Sequence, residues 1–240
     1  MSSLTEYDYV EMSRPAKRTP LSRDRVLAAT VELADESGIE AVTMRKVAER
    51  LGVEAMSLYH HIANKEALLD GIVEGVLQEI EADLGGFTTE MGEAGWKATM
   101  RHRILTARQA MLRHRWAPGV IETRTTMTPT LIRYFDTLVG LFKEAGFTYD
   151  VAHHAMHALG SRALGFNQEL FEPADTTADG QDVDTMMESM ASEIPHIVAM
   201  LAEVVDHDPE STVGWCDDQT EFEFGLDLLL DGLERMASTP

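Results

Sequence analysis

Apolar residues recur along this chain at the three- and four-residue intervals of amphipathic helices, and no stretch alternates with the shorter period of a half-buried strand. In "SRDRVLAATVELADESG", Val26, Leu27, Thr30, Val31 and Ala34 share one face. Ser22 supplies an N-cap oxygen and Gly38 a stop, so the pattern predicts a helix over 22–37. Two short helices follow, over 44–51 and 55–61. A longer one over 65–84 carries the stripe Leu68, Leu69, Ile72, Val73, Val76, Leu77 and Ile80. After the linker "GGFTTEMGEAG", further helices are predicted over 95–114, 128–145, 149–171, 195–206 and 219–236. "FEPADTTADGQD", 171–182, is acidic and poor in large aliphatics and reads as a mobile loop, with another helix over 183–193 before Pro195 opens the next. The expected fold class is all-α, with a small N-terminal three-helix unit and a larger helical trunk.

The small unit has a particular internal pattern. Thr43 N-caps its second helix, Val47, Ala48 and Leu51 face inward, and Gly52 stands where the chain must turn sharply. Val53 and Leu58 anchor the far side, which is the pattern of a helix-turn-helix with 55–61 as the recognition helix. Packing explains those aliphatics. It does not explain Met44, Arg45, Ala55, Met56, Ser57, Tyr59, His60 and His61, which fall on exposed faces. They offer methyl groups for thymine, hydroxyls for phosphate, and imidazole or guanidinium groups for base edges. Lys65 follows the N-cap Asn64, where a cation opposes the helix dipole by about 0.3–1 kcal/mol. Beside free helix-start amides, the same lysine completes a site for a phosphate.

Charge changes the picture. The 41 acidic and 20 basic residues give a net charge of −21, which sits badly with binding a polyanion. Yet from Ser13 to Glu66 nine Arg and Lys meet eight Asp and Glu, whereas from Ala67 onward eleven meet thirty. The acidity belongs to the trunk, and only a near-neutral head need approach phosphates. A single cysteine, Cys216, excludes an internal disulfide and fits a reducing cytosol. The N-terminus lacks an apolar signal core, and no run of about 18 apolar residues exists to span a bilayer, so a cytoplasmic protein without a membrane partner is expected. No nucleophile–base pair, glycine-rich phosphate loop or paired-acid arrangement points to an enzyme, and no cofactor is implied. His153 and His157 stand four apart, the spacing of two metal ligands, with His154 between them; no cysteine lies near, and no metal site is assigned.

The stretch "TMRKVAERLGVEAMSLYHHIANKEALL" resembles the DNA-binding signature of the TetR family of bacterial transcriptional regulators. It carries T-x-R-x-[VL]-A-x-x-L-G-V, then S-L-Y-x-H, then N-K-x-x-L-L, within a match that is dense over 22–72. "WKATMRHRILTARQAMLRHR", "ALGSRALGFNQE" and "EFEFGLDLLLDGLERM" resemble, more loosely, trunk segments of tetracycline repressors. The resemblance implies a flexible arm over 1–20, a helix-turn-helix domain over 21–66 and a ligand-binding and dimerisation domain over 67–240. It also implies that Thr43, Met44 and Arg45 reach operator DNA from the second helix, that Ala55, Met56, Ser57, Tyr59, His60 and His61 do so from the third, and that Lys65 holds a phosphate. Ala55, Met56 and His60 depart from the Gln, Pro and Trp of tetracycline repressors, so a shared operator sequence is not implied. "RPAKR", Arg14 to Arg18, has the charge of an arm laid along phosphates and equally the composition of a frayed tail.

In the trunk, Phe222, Phe224, Leu226, Leu228, Leu229, Leu230, Leu233 and Met236 spread well beyond one helical stripe, so helix 219–236 must be covered on two sides. Ala158, Gly160, Ala163 and Gly165 permit close approach along helix 149–171. Together these predict a four-helix interface between two identical chains, the alternative being a central core helix of a monomer. Two recognition helices would then meet successive major grooves about 34–36 Å apart, on a pseudo-palindromic duplex. An apolar pocket is expected with Trp96, Met100, Trp116, Ile121, Phe135 and Met156 as walls and Arg103, His154 and Glu169 as polar contacts. By the resemblance, Ile121 replaces the histidine that coordinates the drug's magnesium and Arg103 replaces a drug-contacting asparagine, while Glu169 matches a glutamate of that site. The expected inducer is therefore a small molecule other than magnesium–tetracycline. The expected function is a homodimeric repressor released by that inducer; a DNA-binding dimer with a non-sensing trunk and a helical enzyme are the alternatives.

Overall fold

Helix boundaries follow the caps that the sequence supplies. The computed structural model describes residues 20–124, 127–165, 192–196, 198–199 and 218–237, and the regular structure among them is helical. The first helix, α1 (Arg23–Ser37), starts where the Ser22 hydroxyl accepts from the amide of Arg25 at 3.2 Å. It is followed by a single 3₁₀ turn at Ile39–Ala41, then α2 (Met44–Leu51) behind its cap Thr43 and α3 (Ala55–Leu58). Next comes α4 (Lys65–Asp83), capped by Asn64, whose side chain accepts from Ala67 at 2.8 Å. The trunk adds α5 (Gly95–Arg113), α6 (Ala117–Thr123), α7 (Pro129–Glu144), α8 (Tyr149–Gly165) and α9 (Asp218–Ala237).

Two elements differ from the sequence pattern. Helix α3 is a single α-helical turn rather than 55–61, because the amide of His61 bonds three residues back to Leu58 and tightens the chain. Helix α6, between the helices predicted over 95–114 and 128–145, has no counterpart in the sequence pattern. Its Pro118 is tolerated in the first helical turn, where the missing N–H has no partner to lose. The N-terminal arm, Cys216, the 171–182 loop, the helix expected over 183–193 and most of that over 195–206 lie outside the described residues.

The head packs α1, α2 and α3 against the start of α4, with Val26, Leu33, Val47, Leu58 and Leu68 in its centre. The same apolar cluster continues without a break along α4 through Ile72, Val76 and Ile80 into Ala107, Ala110, Trp116 and Val120 of the trunk. A division at 66/67 therefore falls in the first turn of a helix that serves both bodies. A second cluster joins α5, α7, α8 and α9 through Met100, Leu138, Phe142, Phe222, Leu226 and Leu230. Along the α5–α9 seam, cations four residues apart meet acids three or four residues apart. Arg101 pairs with Glu223 and Asp227 at 2.6 and 2.7 Å, and Lys97 pairs with Asp231 and Glu234.

Charged contacts also pin α4 near both of its ends. At the trunk end, Arg113 holds Glu79 and Asp83. At the other end, Arg124, just past α6, reaches Glu66 at 2.8 Å and Asp70 at 3.2 Å. His114 sits in the middle of the joint, with Nδ1 2.9 Å from Asp35 of α1 and Nε2 3.0 Å from Glu79 of α4. Trp116 donates its indole N–H to the same Asp35 at 2.6 Å. Burial works against a charge on His114, but the two flanking carboxylates outweigh it and raise the imidazole pKa above its ordinary value of 6.5. The imidazolium therefore stabilises the fold fully below about pH 6.5, and this contribution is lost as the pH rises through the raised value. His114→Gln is expected to lower unfolding free energy by about 1.5–3 kcal/mol near pH 6, with the deficit shrinking toward pH 9. Urea melts of parent and variant across that range check it, and a deficit that does not change with pH would show that the joint is held by packing alone.

Candidate nucleic-acid interface and ligand cavity

The turn between α2 and α3 is set by Gly52, which adopts the left-handed conformation at φ 66° and ψ 37°. This brings the Val53 amide onto the Ala48 carbonyl at 3.0 Å and lays α3 across α2. Leu58 then faces wholly into the head core, which fixes the outward direction of its neighbours. Met56 is 72% and Tyr59 44% exposed, an unusual pair of large apolar surfaces on one helical turn. Thr43, Arg45, His60 and Lys65 are also exposed. Ser57 and His61 are half-buried, and Met44 and Ala55, expected on the open face, pack partly against the head core.

Charge is distributed unevenly over this head. Arg50 is drawn back onto α1, gripping Glu36 through two nitrogens at 2.6 Å and touching Glu32. Hydrogen bonds and charge from those carboxylates raise the Arg50 pKa, and Arg50 lowers that of Glu36. Arg45 instead pairs with Glu49 one turn along its own helix at 2.8 Å, with its side chain 86% exposed. Such an exposed pair is worth little and is readily exchanged for a phosphate. Lys65 stands at the start of α4 with no ion pair among the described residues.

A cavity of about 600 Å³ lies in the trunk between α4, α5, α6, α7 and α8. Of the residues expected to line a pocket, Met100, Ile121, Phe135 and Met156 do so. Trp96, Trp116, Arg103 and His154 do not. Trp96 meets Phe147 edge-on in the second core, with ring centroids 4.9 Å apart. Trp116 serves the α1–α4 joint, and Arg103 is buried with its guanidinium donating to the Thr88 carbonyl. His154 is exposed, 3.8 Å from Asp150. Glu169 lies outside the described residues.

Several lining residues escaped the sequence reading. Leu77 and Ile80 of α4 form part of the wall, so the helix that starts in the head also closes the cavity. Met111, Met127, Leu131, Tyr134 and Tyr149 complete much of the rest. His153 and His157, noted only for their metal-ligand spacing, both line the cavity with ring centroids 4.6 Å apart. Among the described residues no group of three or more His, Cys, Asp or Glu is placed to hold a metal ion. Periodicity marks Leu131, Tyr134 and Leu138 as one apolar stripe; it carries no signal for which part of a stripe faces a void. Burial pushes the Tyr134 hydroxyl pKa up to about 12, with the nearby Arg103 charge acting the other way.

Comparison with known proteins matches this arrangement along most of the chain. Residues 26–72 match the family model described as bacterial regulatory proteins, tetR family, and residues 88–237 match the tetracyclin repressor-like C-terminal domain. The chain is 29% identical over 231 residues to the HTH-type transcriptional repressor DrrR1 of Streptomyces coeruleorubidus, covering 94% of this chain and 82% of that one. It is 28% identical over 222 residues to the class C tetracycline repressor protein of Escherichia coli, covering 91% and 93%. A crystal structure of a possible TetR family transcriptional regulator from Streptomyces coelicolor superposes with a TM-score of 0.69 at 30% identity, covering 90% of this chain and 100% of that one. With a helix-turn-helix head and a trunk that both match their models, the chain belongs to the TetR family of bacterial transcriptional regulators.

Proposed function

We propose that the chain binds a pseudo-palindromic operator as a homodimer, represses transcription there, and is released when a small molecule other than magnesium–tetracycline enters the trunk cavity. The observation that carries this reading is the double duty of α4. Its first turn flanks the exposed α2–α3 face, and its Leu77 and Ile80 line the cavity. An occupant that presses on this wall displaces the helix on which the head is built. In a dimer, a small rotation of each α4 changes the separation of the two recognition helices, and both can no longer sit in successive major grooves. Only the ligand's differential affinity for the two states drives the shift, typically by about 1–3 kcal/mol.

The dimer reading is supported by α9. Phe222, Leu226 and Leu230 are buried in the second core, while Phe224 and Leu228 are 62% and 55% exposed and Met236 is similarly open. A helix cannot leave so much apolar surface in water without a partner, and the neighbouring α8 exposes the small Ala158. Footprinting on DNA around the protein's own gene tests the whole reading; protection of a two-fold symmetric site is expected, and protection of no symmetric sequence would overturn it.

Three substitutions probe the parts separately. Lys65→Ala is expected to weaken binding to all duplexes alike and to flatten the dependence of log affinity on log salt by about one unit of slope; equal slopes remove the phosphate role. His60→Ala is expected to change preference at particular base pairs by about 1–3 kcal/mol, read from selection on randomised half-sites, and an unchanged profile would take His60 off the reading face. Leu228→Asp is expected to weaken dimerisation by about thirtyfold or more in sedimentation equilibrium, and an unaltered dimer would move the interface elsewhere.

A further inference from the structure

We infer that the trunk cavity is built for an uncharged, lipophilic molecule bearing a carbonyl-type oxygen, which the Tyr134 hydroxyl anchors; this rests on the reading of the cavity as the inducer site. The wall is almost wholly apolar, and no Lys, Arg, Asp or Glu side chain lines it among the described residues. A charged ligand would exchange water for hydrocarbon with no fixed charge to meet it, the imidazoles of His153 and His157 lying on exposed residues of the wall. The one buried cation close by, Arg103, does not line the cavity and is turned to the Thr88 carbonyl.

Tyr134 differs from the other polar residues of the wall, Tyr149, His153 and His157, in being half-buried where they are exposed. Its ring is fixed between Phe87 and Phe135, with centroids 5.2 and 6.0 Å away. Tyr134 lines the cavity, and its hydroxyl makes no hydrogen bond among the described residues. The phenol is protonated at neutral pH, so its O–H is a donor with no acceptor among the described residues. The charge of Arg103 strengthens it as a donor, because a nearby cation draws electron density from the O–H bond. A ligand carbonyl satisfies that donor without bringing charge into the apolar wall. The methionines of that wall, Met100, Met111, Met127 and Met156, are pliant and fit rings of several outlines around that one fixed contact.

Fluorenone and fluorene are matched three-ring probes that differ by a carbonyl in place of a methylene. Titrated into the full-length protein by calorimetry, fluorenone is expected to bind about five- to tenfold tighter than fluorene. Tyr134→Phe, checked for folding by its thermal melt, is expected to erase that preference while still taking up fluorene. Fluorenone carboxylate is expected to bind the parent at least about tenfold more weakly than fluorenone. Equal affinity of the parent for the two neutral probes, a preference that survives in Tyr134→Phe, or tighter binding of the carboxylate would each overturn the ligand class while leaving the cavity a binding site. Failure of both neutral probes to bind would overturn the ligand class and the inducer-site reading together.

Discussion

Helix α4 packs into the head and the trunk at once, and the remaining architecture depends on that shared packing. Its face toward α1 is so close that a β-carbon at Gly71 would lie 2.5 Å from the Leu27 side chain. Its opposite face continues into Ala107, Ala110 and Val120 of α5 and α6. A close-packed interior does not bend smoothly; it changes by moving a rigid element from one set of contacts to another. Any displacement of α4 by the trunk is therefore delivered to α2 and α3 as a movement of the whole head.

The acidic excess acquires a structural role in the same frame. Glu66, Asp70, Glu79 and Asp83 along α4 receive Arg124 and Arg113, and the acids of α9 receive Lys97 and Arg101. Lys97, Arg101, Arg113 and Arg124 are thus committed to carboxylates at helix seams, while Arg45 and Lys65 of the head stay accessible. A polyanion meets a repelling trunk and a permissive head, which orients the approach without a large positive field.

The head was legible in the sequence because each of its features has a local cause. Ser22, Thr43 and Asn64 cap the helices they precede, and Gly52 takes the left-handed turn. The trunk was legible as helices and only in part as a cavity wall, to which Met100, Ile121, Phe135 and Met156 belong. Trp96, Trp116 and Arg103 look like pocket residues in one dimension because large or charged side chains stand out. Their partners, Phe147, Asp35 and the Thr88 carbonyl, lie far off in the sequence or on a linker. Conversely Leu77 and Ile80 read as ordinary core, since a residue facing a cavity and one facing a neighbour satisfy the same periodicity. The joint was invisible for a related reason: Asp35, Glu79 and His114 come from three separate helix ends, and no spacing connects them.

That joint also sets the scale of what a ligand must do. Exposed or half-exposed ion pairs such as Arg113–Asp83 and Arg124–Asp70 contribute about 0–1 kcal/mol each, and such pairs are readily replaced by water or new partners. The His114 contacts, more deeply buried, are the stiffer element. A coupling of about 1–3 kcal/mol, the usual range for a switch, is comparable with rearranging one buried charged contact and a few exposed ones. In the proposed switch the ion pairs near both ends of α4 exchange partners readily, whereas its packed methyl groups must move together with the elements they touch.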